Sequence, residues 1–247
     1  MDDVFAAHLR DLSKKADKTG RFTFSDFLSL DEQNTLNALK RDLIRFDCFG
    51  GTEGCERVIV RFGDPSVIGY EQPFPVVCIG IRPLQQKFAD ELTHRDILGA
   101  LMNLGMERSC LGDIILRDNT AFLFALERIA PFVCENLSVV KRTSVSCALT
   151  ETLPEGPLFR TEPVVLNVNS LRVDCIVAAA YRLSRGAAEK LFAAQKVFID
   201  GRLTLSGATP LKEGNTVSVR GFGRFIFRTT DGTSKKGRLF VSIERYI

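Results

Sequence analysis

Tryptophan is absent from the 247 residues, and histidine (two), tyrosine (three) and methionine (three) are scarce. The core must therefore come from aliphatic residues and 19 phenylalanines, within a hydrophobic fraction of 45% that is ordinary for a soluble globular chain. No apolar run approaches the roughly 20 residues that cross a bilayer, so no membrane partner is expected. The N-terminus, MDDVFAAHLRDLSKK, opens acidic and lacks an apolar core, which excludes a secretory signal there. Cysteine occurs seven times, at 48, 55, 78, 110, 134, 147 and 175, but never as C-x-x-C. An odd number at irregular spacing argues against a disulfide framework and against a zinc site. Buried reduced thiols in a cytoplasmic protein are the expectation. A Walker loop, a dinucleotide G-x-G-x-x-G and a metal-ligand constellation are all missing, so neither cofactor nor metal is expected.

At this length two or three domains are expected. The net charge of +3 conceals an asymmetry. Residues 161–247 hold 14 Lys and Arg against 7 Asp and Glu, whereas residues 1–160 hold 19 against 23. A basic C-terminal third on a mildly acidic remainder points to a module that binds a polyanion. A merely soluble basic surface is the alternative.

Residues 1–75 read as a mainly helical region with one strand. Val4, Phe5, His8, Leu9 and Leu12 recur at helical spacing before Gly20, which sets His8 at the edge of a core. Leu36, Leu39, Leu43 and Phe46 predict a second helix over about 30–46. FDCFGGTEGCE then breaks the pattern, RVIVRFG reads as a strand, and GDPSVIGYEQPFP reads as a link.

Residues 76–152 show the order β-α-β-β-α-β. VVCIGIRP is a strand; a helix follows that opens on a Thr93–Asp96 capping box and stops at Gly105. GDIILRD and AFLFALE form two strands about a turn at Asn119, RIAPFVCENL is helical with Pro131 in its first turn, and SVSCALTE closes as a strand. This is the order of the ferredoxin-like sandwich, shared by RRM-like RNA-binding modules and by unrelated enzymes. LPEGPLFRTEP reads as a linker to a last unit at 164–247.

In that unit NSLRVDCIVAAAYR predicts a short helix with Leu171, Ile176 and Ala180 inward. Ser184 is a natural N-cap for a second helix. A helix start presents free amides and a positive dipole end, which suits an anion. Arg185 stands beside those amides, with Lys190 further along and Arg172 and Arg182 approaching from the first helix and the turn. KVFIDGRLTL then alternates like a strand and turns at Asp200-Gly201, and Gly221 and Gly223 mark a bulge or a sharp bend.

The stretch LRVDCIVAAAYRLSRGAAEKLFAAQKVFIDG resembles the S4 RNA-binding domain, through Arg172, Asp174, Ser184, Arg185, Ala188, Val197, Ile199 and Gly201. Family members carry Gly before the strand and Asn before the hairpin Gly; here Gln195 and Asp200 stand in those places. THRDILGALMNLGMERSCLGDIIL, ENLSVVKRTSV and VSVRGFGRFIF with GTSKKGRLFV together resemble the bacterial YlmH family, most distinctly from about residue 76. That resemblance implies an N-terminal region, a central RNA-binding-like domain and a C-terminal S4 domain. It also implies binding to structured RNA on the ribosome, and quality control of stalled large subunits that carry peptidyl-tRNA.

Arg172, Arg182, Ser184, Arg185, Lys190 and Lys196 are accordingly the expected RNA contacts; the alternative is a solvated surface ion-paired through Asp174 and Glu189. Asp174 is expected to orient an arginine, since a carboxylate facing phosphate would repel it. Arg220, Arg224, Lys235, Lys236 and Arg238 extend the basic face, or else protect an edge strand by charge. Phe222 and Phe225 offer rings for base stacking, with strand core as the stronger reading. His94 reads as a capping or first-turn residue rather than a catalytic base.

The expectation is a non-enzymatic, monomeric, cytoplasmic RNA-binding protein of α+β class. It docks on ribosomal RNA of the large subunit, with tRNA as a further partner, and its middle domain adds a second contact. The rivals are an RNA-modifying enzyme, marked by a pocket joining His94 to Asp96 or Asp113, and a cell-division scaffold.

Overall fold

The computed structural model describes residues 2–154, 159, 161–234 and 237–246. The chain is of α+β class, with antiparallel sheets and short helices, and divides into two compact units, Met1–Leu158 and Phe159–Ile247. The regions 1–75 and 76–152, distinct in the sequence pattern, thus pack into one unit. No helix among the described residues is long and apolar enough to cross a membrane.

The first unit opens with α1 (Asp2–Thr19), β1 (Thr23–Phe24), α2 (Leu30–Ala38), β2 (Phe46–Phe49), β3 (Ile59–Phe62) and α3 (Pro65–Ile68). β1, β3 and β2 form a small antiparallel sheet over a core of Leu9, Ala16, Leu28, Leu36, Val60 and Phe62. Two expectations are corrected here. α1 buries Ala6, Leu9, Ser13 and Ala16, so its buried stripe passes beside His8, which is exposed. The second helix ends at Ala38, a 3₁₀ turn covers Lys40–Asp42, and Phe46 starts a strand. Leu39, Leu43 and Phe46 still pack on that core, so their pattern reported burial but not the element. Ladder pairing of Phe46 through Phe49 with β3 overrides the helical period.

The unit continues with β4 (Val76–Pro83), α4 (His94–Asn103), β5 (Leu111–Arg117), β6 (Thr120–Leu126), α5 (Ala130–Asn136), β7 (Val139–Val140) and β8 (Thr143–Leu149). The sheet order is β5-β6-β4-β8-β7, antiparallel throughout. Thr93 and Asp96 form the capping box of α4, and Gly105 closes it at φ 80°. Asp118 and Asn119, at φ 49° and 55°, make the two-residue hairpin turn between β5 and β6.

All seven residues of β6 are buried. Ala121, Leu123 and Ala125 join the core under α4 and α5 with Ile97, Leu101 and Val133. Phe122 and Phe124 point to the other face, where Gly51 of the N-terminal region packs on the Phe124 ring. A Cβ on Gly112 would lie 2.7 Å from the Phe27 ring, and one on Gly51 would enter the Phe124 ring. Arg57 staples that face: its Nε donates to the Leu111 carbonyl at 2.8 Å, and its guanidinium also donates to the Phe27 and Arg108 carbonyls.

The second unit comprises β9 (Thr161–Val168), α6 (Val173–Ala180), α7 (Arg185–Ala193), β10 (Val197–Ile199), β11 (Arg202–Leu203), β12 (Thr216–Val219), β13 (Gly223–Thr233) and β14 (Leu239–Tyr246). β9 begins inside the stretch expected to be linker; Pro163 is tolerated because β9 is an edge strand. The sheet order is β11-β10-β12-β13-β14-β9, and α6 and α7 pack on one face. The core there joins Val173, Ile176, Val177, Leu191 and Phe192 to Val197, Val219, Phe225 and Ile243. Phe225 is fully buried, whereas Phe222, at the β12–β13 turn, is 45% exposed and lies 5.4 Å from the Tyr181 ring.

The seven thiols are all free, but only Cys110 is buried; Cys48 is exposed and the others are half-buried.

Candidate nucleic-acid interface

The two helices of the second unit start differently. The first amides of α6 are already used: Val173 N–H donates to the Thr209 carbonyl at 2.8 Å, and Asp174 N–H donates to Gly207 at 3.1 Å. The 206–211 loop therefore closes that helix end. At α7 the Ser184 hydroxyl accepts from the Ala187 N–H at 3.2 Å, and Ser184, Arg185 and Gly186 are exposed. Nothing lies within 4 Å of the place a Gly186 Cβ would take. α7 thus offers an open, positively polarised end.

Both helices end in the same way. Arg182 N–H donates to Ala179 and Leu183 N–H to Ala178; likewise Gln195 N–H donates to Phe192 and Lys196 N–H to Leu191. This paired closure places one residue in the left-handed region, usually glycine. Here Arg182 and Gln195 take it, at φ 52° and 55°. Gln195, where the resemblance read from the sequence leads one to expect Gly, adopts the glycine-like conformation.

Arg172, Arg182 and Arg185 line one groove of about 580 Å³ together with Arg238, Asn167, Asn169 and Ser170. Arg238 is fixed by a 2.7 Å bond to the Asn167 carbonyl. Arg172 is oriented by Asp174 through two bonds, Nε to Oδ1 at 3.1 Å and the guanidinium to Oδ2 at 2.5 Å. Burial by itself would raise the Asp174 carboxyl, yet the Arg172 guanidinium and the Cys175 bonds hold it below the ordinary carboxylate range. Asp174 therefore stays ionised and aims Arg172. Arg185 meets Glu189 at 3.3 Å on the exposed helix surface, where such pairs bind weakly.

The remaining expected contacts fall elsewhere. Lys190 is exposed on α7 but does not line the groove. Lys196 is exposed before β10, and its carbonyl accepts from the Arg220 N–H at 2.9 Å. Arg220 lies over the Phe198 ring at 4.6 Å, and Arg224 over the Tyr246 ring at 3.9 Å. Lys235 and Lys236 lie outside the described residues. Asn167, Asn169 and Ser170 carried no signal in the sequence, because only the end of β9 brings them to the arginines.

In the first unit Thr93, not His94, caps α4, and His94 is the first helical residue. His94 is surface-exposed, and its pKa is lowered by partial desolvation of the ring and by the nearby Arg108. Asp113, which approaches it electrostatically, accepts from the Glu56 and Arg57 amides at 2.5 and 3.4 Å. Asp96 is held instead by Lys141 at 2.8 Å.

Residues 71–153 match the family model described as "Putative RNA-binding domain in YlmH". The chain is 28% identical over 227 residues to "Ribosome-associated protein quality control protein P2" of Bacillus subtilis (strain 168), covering 91% of this chain and 88% of that protein. Among solved structures, "Cell division protein ylmH from Streptococcus pneumoniae" aligns with a TM-score of 0.46 at 23% identity, over 60% of this chain and 90% of that one. Family model and curated relative bear out the YlmH resemblance read from the sequence.

Proposed function

We propose that this YlmH-type chain is a non-enzymatic, cytoplasmic protein that docks as a monomer on ribosomal RNA of the large subunit, with peptidyl-tRNA as a further contact, in quality control of stalled translation. One observation carries the reading: the open start of α7, capped by Ser184, adjoins a groove lined by Arg172, Arg182, Arg185 and Arg238. Free amides and guanidinium groups converging on one concavity suit phosphate oxygens. Recognition is by backbone shape and charge, because the deep groove of A-form RNA excludes side chains. The relative's role in ribosome-associated quality control supports the ribosome as the place of docking.

The second unit is read as an S4 domain on its helix pair, its Asp200-Gly201 hairpin and the glycine-like Gln195. The β5-β6-β4-β8 order supports a ferredoxin-like central domain. Since the N-terminal region covers the β5–β6 part of that sheet, the domain's own RNA contact belongs on its α4–β7 side, where Arg95, Asn103, Asn136 and Ser138 line a groove. An RNA-modifying enzyme draws little support from His94, since the two carboxylates it would use are bonded to the backbone or to Lys141.

Crosslinking the protein in cells and sequencing the attached RNA tests the reading. Enrichment of large-subunit ribosomal RNA is expected, and its absence would overturn the assignment.

A further inference from the structure

The sheet of the second unit has a face that α6 and α7 leave open. Val197, Val217, Val219, Phe225 and Phe227 point into the core, so the alternating residues Phe198, Ser218, Arg224, Ile226 and Arg228 point away from it. Phe198 is paired with Ser218, and Ser218 with Arg224. Tyr246 follows in the same row, one position beyond the Phe225–Arg245 pair. Four adjacent strands thus carry Phe198, Ser218, Arg224 and Tyr246 in one line across the sheet.

Two cation–aromatic stacks flank that line. The Arg220 guanidinium lies 4.6 Å from the Phe198 centroid, and the Arg224 guanidinium 3.9 Å from the Tyr246 centroid. Between them stands the short side chain of Ser218. Further along the face Arg228 pairs with Glu244 at 2.8 Å, and Asp231 accepts from Ser242. The carboxylates therefore sit at the far end and the stacks at the near end. The exposed Lys196 lies at that near end, where its carbonyl holds the Arg220 backbone.

We infer that this face is a second RNA surface, which takes unpaired bases by stacking and stands apart from the α6–α7 groove. Flat guanidinium and aromatic planes with positive charge at their edges fit a base and its phosphate together. A duplex keeps its base faces internal, so the occupant is a single-stranded segment. The inference uses none of the groove residues, and either surface can fail alone.

The test measures binding of the full chain to two labelled RNAs by fluorescence anisotropy. One is a 12-nucleotide strand without self-complementarity, and the other a hairpin closed by a minimal loop. Arg220→Gln removes an exposed side chain, and Phe198→Leu keeps apolar bulk beneath it. Each should weaken single-strand binding at least about five-fold, the loss of one stacked base, and leave the hairpin within about two-fold. A thermal melt confirms that each variant is folded. Single-strand affinity unchanged in both variants, equal losses on the two probes, or no single-strand binding by the unaltered protein would overturn the inference.

Discussion

Arg182 and Gln195 hold equivalent places in successive helices: each is the left-handed residue through which its helix closes, at φ 52° and φ 55°. Side chains with a Cβ are strained there by about 1–2 kcal/mol, and glycine is not. Part of that gain is lost to the greater freedom of glycine in the unfolded chain. Gln195→Gly should therefore stabilise the second unit by about 0.5–1 kcal/mol in denaturant unfolding. Arg182→Gly should bring a similar gain and still lose RNA affinity. A variant that is both more stable and a weaker binder would mark Arg182 as a residue kept for its charge.

Gly112→Ala addresses the first unit. The added Cβ would stand 2.7 Å from the Phe27 ring and 3.0 Å from the Phe124 Cβ, between the sheet and the segment that covers it. Overpacking of this kind costs about 1–3 kcal/mol. Unfolding of the first unit should shift by that amount, and RNA binding through the α7 start should persist.

Asp96 sets a pH dependence. Bonds from Lys141 and Thr93 hold its carboxyl down to about 2, from an ordinary 3.8. A carboxylate with a depressed folded pKa contributes stability that is complete above the unfolded value and lost as pH falls through the folded one. The α4 start should therefore loosen between pH 3.8 and about 2. The stability difference between the unaltered protein and Asp96→Asn should shrink across that window, as read from unfolding at successive pH values.

Phosphate contact predicts a steep salt dependence. If the four groove arginines each engage one phosphate, the logarithm of affinity should fall with that of salt at a slope near −3. Arg238→Gln should make the slope shallower by about 0.7–0.9. Titration at several salt concentrations checks both values.

The local signals were legible in the sequence. Ser184 as a cap, the Thr93–Asp96 box, the Asp200-Gly201 hairpin and the strand–helix order of 76–152 each depend on residues near in sequence. Long-range pairing was not legible. Nothing in NSLRVD reports that the Thr209 and Gly207 carbonyls consume the α6 amides, which leaves α7 as the open helix start. Likewise Arg220 and Arg224 look like further groove arginines in one dimension, whereas alternation along β12 and β13 turns them to the opposite face. The stripe through Leu39, Leu43 and Phe46 has a helical period without a helix, because partial burial of a turn and a strand start imitates one helix face.

The most direct test of the α7 start as the grip on RNA is co-sedimentation of Arg185→Glu with ribosomal particles. The Arg185 side chain is 84% exposed, so charge reversal leaves the fold intact. A sharp loss from the particle fraction is expected, with an unchanged melting profile; undiminished co-sedimentation would contradict the account.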